Sequence, residues 1–162
     1  MAISQRLMAL GLTSAVALSG GMLVAENEGL VLGTYLDPIG IVTSCYGHTH
    51  KALKLGQDFT EAQCLEQLAV DLSHYNARLL ALSPPLSQGE HMAYLSFIYN
   101  VGIGAFTRST LRKKLQNDDR IGACKELKRW VYAAGKKLAG LVRRRQSEFV
   151  FCTRNLAYVR PI

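Results

Sequence analysis

A chain of 162 residues that is 49% hydrophobic and 19% charged is long enough to bury one sizeable core and short for two. The balance is that of an ordinary globular protein with an unusually apolar N-terminus, and no repeat, low-complexity tract or long linker interrupts it. The net charge of +7 is unevenly spread: residues 26–107 hold three Lys or Arg against eight Asp or Glu, whereas 108–162 hold fifteen against four. A basic C-terminal half suits a polyanionic partner such as nucleic acid, anionic lipid or bacterial cell wall. The alternative is a helical surface simply solvated by Lys and Arg.

Residues 7–25 contain no charge and follow Arg6 and the terminal amine. As one helix they would extend roughly 28 Å, just enough to cross the hydrocarbon core, with the N-terminus in the cytoplasm. The segment is rich in Gly, Ala, Ser and Thr, so insertion would be only marginally favourable. A cleaved signal peptide is a competing reading, with processing after Ala17-Leu18-Ser19 or at Ala25. A buried core helix fits the one-sided charge and the missing polar face less well.

Glu28 follows almost at once, and Asp37 and Thr43 come soon after. Residues 34–36 and 41–45 are β-branched or aromatic, and Asp37-Pro38-Ile39-Gly40 between them has turn chemistry, which predicts a small hairpin. All strand signal lies in this stretch. Two carboxylates in different environments plus a water-binding hydroxyl can cleave a glycosidic bond: one carboxyl protonates the leaving oxygen and the other handles water. Carboxylate pairs at such spacings are common, so the pattern alone is weak.

The remainder reads as helices. Thr60-Glu61-Ala62-Gln63 is a capping box, followed by Cys64, Leu65, Leu68, Leu72, Tyr75 and Leu79 at helical spacing, and Pro84-Pro85 ends that helix. Ser87-Gln88-Gly89-Glu90 is a second capping box, opening a segment over Met92–Val101 that is apolar nearly all round and so predicts a central buried helix closed by Gly102 and Gly104. A short helix is expected from about Arg108 to Gln116. Another starts at Asp118 and Asp119 and carries Leu127, Trp130 and Val131. A break lies between Gly135 and Gly140, and a last helix runs from about Leu141 to near Leu156.

Cys45, Cys64, Cys124 and Cys152 all lie beyond the export segment, and an even number favours disulfides. Three pairings are possible; nearness in the chain favours Cys45–Cys64 and Cys124–Cys152. The spacings match no zinc pattern, and a nucleophilic Cys45 near His48 is the remaining alternative.

Glu28, eight residues, Asp37, five residues, Thr43, then Gly47-His48, resembles the catalytic signature of the phage-type lysozymes, glycoside hydrolase family 24. The likeness continues in Asn100-Val101-Gly102-x-Gly104-x-Phe106, Ser109-Thr110-Leu111, Arg129-Trp130-Val131-Tyr132-Ala133 and Gly140-Leu141-x-x-Arg144-Arg145-x-x-Glu148, and so covers about residues 26–155. The resemblance implies an α+β, mostly helical, lysozyme-like fold with a small β-hairpin lobe and a helical C-terminal lobe. It implies hydrolysis of the β-1,4 bond between N-acetylmuramic acid and N-acetylglucosamine in peptidoglycan. Glu28 would be the general acid, and Asp37 with Thr43 would position the attacking water, with inversion. His48 would buttress the hairpin, pairing with Asp71, and Asn100 would contact sugar or end a helix. Cys45 departs from the pattern, standing where many members have Gly. A subset from phages of Gram-negative hosts is similar there and shares cysteines near positions 64, 124 and 152, which supports the disulfides.

That subset includes signal-anchor-release endolysins, and residues 1–25 look like such a segment ahead of a catalytic domain at 26–162. The implied protein is exported by the host secretion machinery, held inactive on the periplasmic side of the inner membrane, and active when released, with the freed segment folding against the domain. No cofactor, metal or nucleic-acid partner is expected, and the expected state is a monomer. A lytic transglycosylase would also use Glu28 but needs no water-activating Asp37. A non-catalytic, basic cell-wall-binding module would need neither carboxylate.

Overall fold

In the computed structural model, which describes residues 1–154 and 156, the apolar N-terminal segment does not form one helix. It folds as α1 (Ile3–Ala9), α2 (Ser14–Leu18), a π-helical turn over Ser19–Val24, and α3 (Ala25–Glu28). The break after α1 is at Gly11, whose φ of 91° is open to glycine, and Gly29 at φ 72° stops α3. Among the described residues no helix is long and apolar enough to cross a membrane. Leu7, Val16, Ala17, Leu23 and Val24 are instead buried in protein. Each large apolar side chain so buried contributes about 1.5–3 kcal/mol.

The chain divides into two units, Met1–Ser73 and His74–Ile162. In the first, the N-terminal helices pack through two glycines. A Cβ on Gly20 would stand 2.4 Å from Leu72 Cδ1, and one on Gly21 would stand 2.7 Å from the backbone N of Ser4. The first clash is with the end of a flexible side chain, whereas the second is with the backbone of α1. Gly21→Val is therefore expected to destabilise the purified protein by about 1–3 kcal/mol, read from its denaturant midpoint. An unchanged midpoint would mean that α1 does not pack against Gly21.

Three short strands follow in the order β1 (Val31–Leu36), β2 (Val42–Cys45) and β3 (His48–Thr49), both pairings antiparallel. The expected two-stranded hairpin is thus extended by β3, because Gly47 at φ 76° turns the chain back after Cys45. Helix α4 (Glu61–Leu82) begins at the expected capping box, Thr60 N–H donating to Gln63 Oε1 at 2.8 Å and Gln63 N–H to Thr60 Oγ1 at 3.2 Å. It ends before Pro84. Three cross-links hold the sheet to it: the Cys45–Cys64 disulfide, Ser44 Oγ donating to Gln67 Oε1 at 3.1 Å, and His48 Nδ1 at 2.7 Å from Asp71 Oδ2.

In the second unit, α5 (Gln88–Val101) opens on the second capping box and is buried from Gly89 to Ile98, the central helix that its apolar circumference predicts. Gly102 closes it at φ 85°. The single helix expected over 108–116 is two, α6 (Ile103–Arg108) and α7 (Thr110–Gln116). Ser109 leaves helical geometry and its hydroxyl accepts from Arg112 N–H at 3.0 Å, so a serine in the middle of the pattern is a cap. Helix α8 (Arg120–Glu126) starts as expected, with Asp119 Oδ1 accepting from Gly122 N–H at 2.9 Å, but does not carry Trp130 and Val131. Leu127–Arg129 tighten into a 3₁₀ turn, and Trp130 packs edge-on against Phe97, ring centroids 5.2 Å apart.

A second hairpin that the sequence did not announce follows, β4 (Tyr132–Ala133) paired with β5 (Lys136–Lys137). Ala134 and Gly135 turn it with φ of 48° and 76°, both positive as a two-residue hairpin loop of the I′ kind requires. Helix α9 (Ala139–Thr153) completes the described chain, and the Cys124–Cys152 disulfide ties it to α8. Closing a loop with a sequence separation of 28 contributes about 3–4 kcal/mol in the chain-entropy account. Inside this unit Arg144, Arg145 and Glu148 are buried together. Glu148 Oε2 faces Arg145 Nε at 2.8 Å, and its Oε1 accepts from Ser96 Oγ at 2.7 Å. Burial is the largest influence on that carboxyl and pushes it up, against the pull of the two guanidiniums.

Candidate active site

The three residues of the Glu-Asp-Thr spacing all lie in the first unit, each fixed by a different local device. Glu28 is the last residue of α3, half-buried, and Gly29 ends the helix immediately behind it. A Cβ on Gly47 would come within 3.2 Å of Glu28 Oε2, so the turn between β2 and β3 runs directly past the carboxylate. Gly47 is needed twice over, for that approach and for its positive φ.

Asp37 builds the hairpin turn with its own side chain. Its Oδ1 accepts from the N–H groups of Ile39 at 2.9 Å and Ile41 at 2.8 Å, and Gly40 N–H donates to the Asp37 carbonyl at 2.9 Å. One carboxylate oxygen is thereby committed to structure, and Oδ2 is left outside those bonds. Thr43 is buried on β2, where its hydroxyl donates to the Ile41 carbonyl at 3.1 Å and keeps its lone pairs as acceptors.

Thr43 lies directly across from Tyr35, so those two side chains share a sheet face. Asp37 follows the last residue of β1, and its N–H donates to the Ile41 carbonyl at 3.0 Å, the same carbonyl that accepts from the Thr43 hydroxyl. Tyr35 is a member of this group that sequence reading passed over; its place two residues before Asp37 in a strand was the available signal. Burial pushes its phenol up, and the charges of Glu28 and Asp37 push it further.

Cys45 is not a free nucleophile, since its sulfur is bonded to Cys64. Its φ of 54° is in the left-handed region that favours glycine. His48 is half-buried and engaged with Asp71, so it braces β3 against α4. Asn100 is exposed near the end of α5, in the second unit.

Comparison with known proteins identifies the family. The Phage lysozyme family profile matches residues 25–148, a span holding every residue named above. The "SAR-endolysin" of Bacteriophage PS119 is 41% identical over 129 residues, covering 77% of this chain and 75% of that protein. Among solved structures, the endolysin from Escherichia coli O157:H7 phage FAHEc1 is 30% identical with a TM-score of 0.73, covering 89% of this chain and 94% of its own. The active form of P1 phage endolysin Lyz shares the fold at 20% identity with a TM-score of 0.84, covering 98% of this chain and 95% of its own. The fold is thus the lysozyme-like α+β fold, the enzyme type is that of a lysozyme, and the chain belongs to the phage lysozyme family.

Proposed function

We propose that this protein is an endolysin that hydrolyses the β-1,4 bond between N-acetylmuramic acid and N-acetylglucosamine in peptidoglycan. The observation that carries the reading is the division of labour in the first unit, where Asp37 spends one oxygen on its turn and meets Thr43 at the Ile41 carbonyl, while Glu28 lies at a helix end against Gly47. Glu28, protonated, gives its proton to the bridging oxygen as the bond from C1 of the muramic acid breaks. A water donating to Asp37 Oδ2 and to the Thr43 hydroxyl directs its lone pair at C1 from the opposite face. The O–H bond that points to Asp37 breaks, its proton passing to Oδ2, as the new C–O bond forms, with inversion at that carbon. Asn100, exposed near the end of α5, is a proposed contact to the sugar.

Residues 1–25 act in this reading as a signal-anchor-release segment, holding the enzyme at the periplasmic face of the host inner membrane and then freeing it as a monomer into the periplasm. Support comes from the charge-free run 7–25, from the name of the PS119 relative, and from a conformation in which Leu7, Val16, Ala17, Leu23 and Val24 of that run are packed in protein. While the segment lies in lipid, Glu28 is pinned three residues beyond Ala25 and its helix end is not formed against Gly47. Activity therefore requires release.

Mass spectrometry of fragments released from purified peptidoglycan tests the chemistry. Reducing N-acetylmuramic acid ends are expected, and 1,6-anhydro ends would make the protein a lytic transglycosylase. The mass of the periplasmic protein after membrane depolarisation tests the segment: the full chain is expected, and a chain beginning after Ala25 would mean a cleaved signal peptide.

A further inference from the structure

A cavity of about 350 Å³ opens beside the Asp37 turn, lined by Ile41, Val42, Thr49, His50, Lys51 and Leu53. Ile41 joins it to the chemistry just proposed. Its carbonyl accepts from Asp37 N–H at 3.0 Å and from the Thr43 hydroxyl at 3.1 Å, so the residue that fixes both water-binding groups is also a wall of the cavity. Another wall is a tight turn, in which Leu53 N–H donates to the His50 carbonyl at 3.0 Å and Ala52 N–H to His50 Nδ1 at 3.2 Å. That second bond leaves His50 Nε2 as a donor. Charge in this unit is scarce on the positive side: residues 1–73 hold seven Asp or Glu against Arg6, Lys51 and Lys54. Arg6 is engaged with Glu61, whereas Lys51 is exposed and makes no ion pair among the described residues. An aliphatic cavity with a free ammonium and an imidazole donor fits a short apolar chain that carries a carboxylate.

We propose that this cavity takes the peptide stem of peptidoglycan, with Lys51 bonding a stem carboxylate and Ile41, Val42 and Leu53 receiving alanine methyl groups. The muramic acid attacked at C1 carries its peptide through the lactyl ether at C3 of the same ring. The peptide therefore begins within one ring's width of the reacting carbon, and the cavity begins at the residue that fixes the water. Beside the carboxylates of Glu28 and Asp37 an anionic stem would be repelled without a compensating cation. Lys51 supplies it. The residue sets which glycan is preferred and takes no part in breaking the bond.

This inference rests on the proposed cleavage of the glycosidic bond, and a pair of substrates separates the two. One is solubilised peptidoglycan with its stems, and the other is the same glycan stripped of peptide by an amidase. For the full-length protein in its released form, kcat/KM is expected to be higher on the stem-bearing glycan, chiefly through a lower KM. Lys51→Met keeps the aliphatic chain and loses the charge. In that variant the preference is expected to shrink about fivefold, the upper end for a solvent-exposed ion pair, at an unaltered melting midpoint. Added salt is expected to erode the wild-type preference and to leave that of Lys51→Met unmoved, because the lost bond is between exposed charges. A wild type without preference, or a Lys51→Met variant that keeps it in full, would overturn the site while the reaction stands, since reducing ends still appear from the stripped glycan. A wild type that releases reducing ends from neither substrate would remove the reaction and the site with it.

Discussion

Glu28→Gln is expected to reduce lysis of permeabilised Gram-negative cells by at least about 10²–10⁴-fold, the usual contribution of a positioned proton donor. The carboxamide matches the carboxyl in shape and stays in place at the end of α3 beside Gly47, so the fold is expected to survive. The amide cannot give a proton to the glycosidic oxygen. Turbidity decay of the cell suspension reads the activity, and circular dichroism melting of the same sample reads the fold. Retained lysis with an unaltered melt would mean that the protein acts on the wall without Glu28, as a binding module would. Lost lysis together with a lowered melting temperature would place Glu28 in the packing rather than in the chemistry.

The second large effect is expected far from that chemistry in sequence. Glu148 is fully buried, facing Arg145 Nε at 2.8 Å and Arg144 Nε at 3.4 Å, with Ser96 Oγ donating to it at 2.7 Å. Glu148→Ala removes a buried carboxylate that both guanidiniums face, together with its bond from Ser96. Breaking a buried ion pair from one side costs about 3–5 kcal/mol. For a protein of this size that is on the order of 10 °C in melting temperature. Thermal melting checks it, and a loss smaller than about 1 kcal/mol would mean that water reaches the cluster on mutation.

What could be read from the sequence was local. Both capping boxes, the stop at Pro84 and the apolar circumference of α5 depend on residues within a turn of one another, and each stands where its pattern indicates. Of the three pairings left open, the one found, Cys45–Cys64 with Cys124–Cys152, is the one that nearness in the chain favours. The break at Ser109 was not legible, because a serine inside a helical pattern is equally a tolerated residue or a cap, and only the chain direction settled by packing decides between them. The hairpin at Tyr132–Lys137 was hidden for a related reason: each strand has two residues, too few to show alternation, and the first turn position is alanine instead of asparagine or glycine. In the candidate site, Glu28, Asp37 and Thr43 were found through spacing shared with a family. Tyr35 belongs to no such spacing, and needed the strand register to bring it forward. The N-terminal segment was ambiguous in a deeper sense, since an apolar, small-residue run satisfies lipid and protein core by the same property.

The π-helical turn over Ser19–Val24 lies in a continuous helical path from Ser14 to Glu28. A helix end is a clock hand, and each residue added or removed upstream turns it by about 100°. Since α2 is anchored by buried Val16 and Ala17, the wider turn sets the phase at which Glu28 leaves the path. The segment is then free to exchange one apolar residue for another over evolutionary time while remaining intolerant of insertions and deletions.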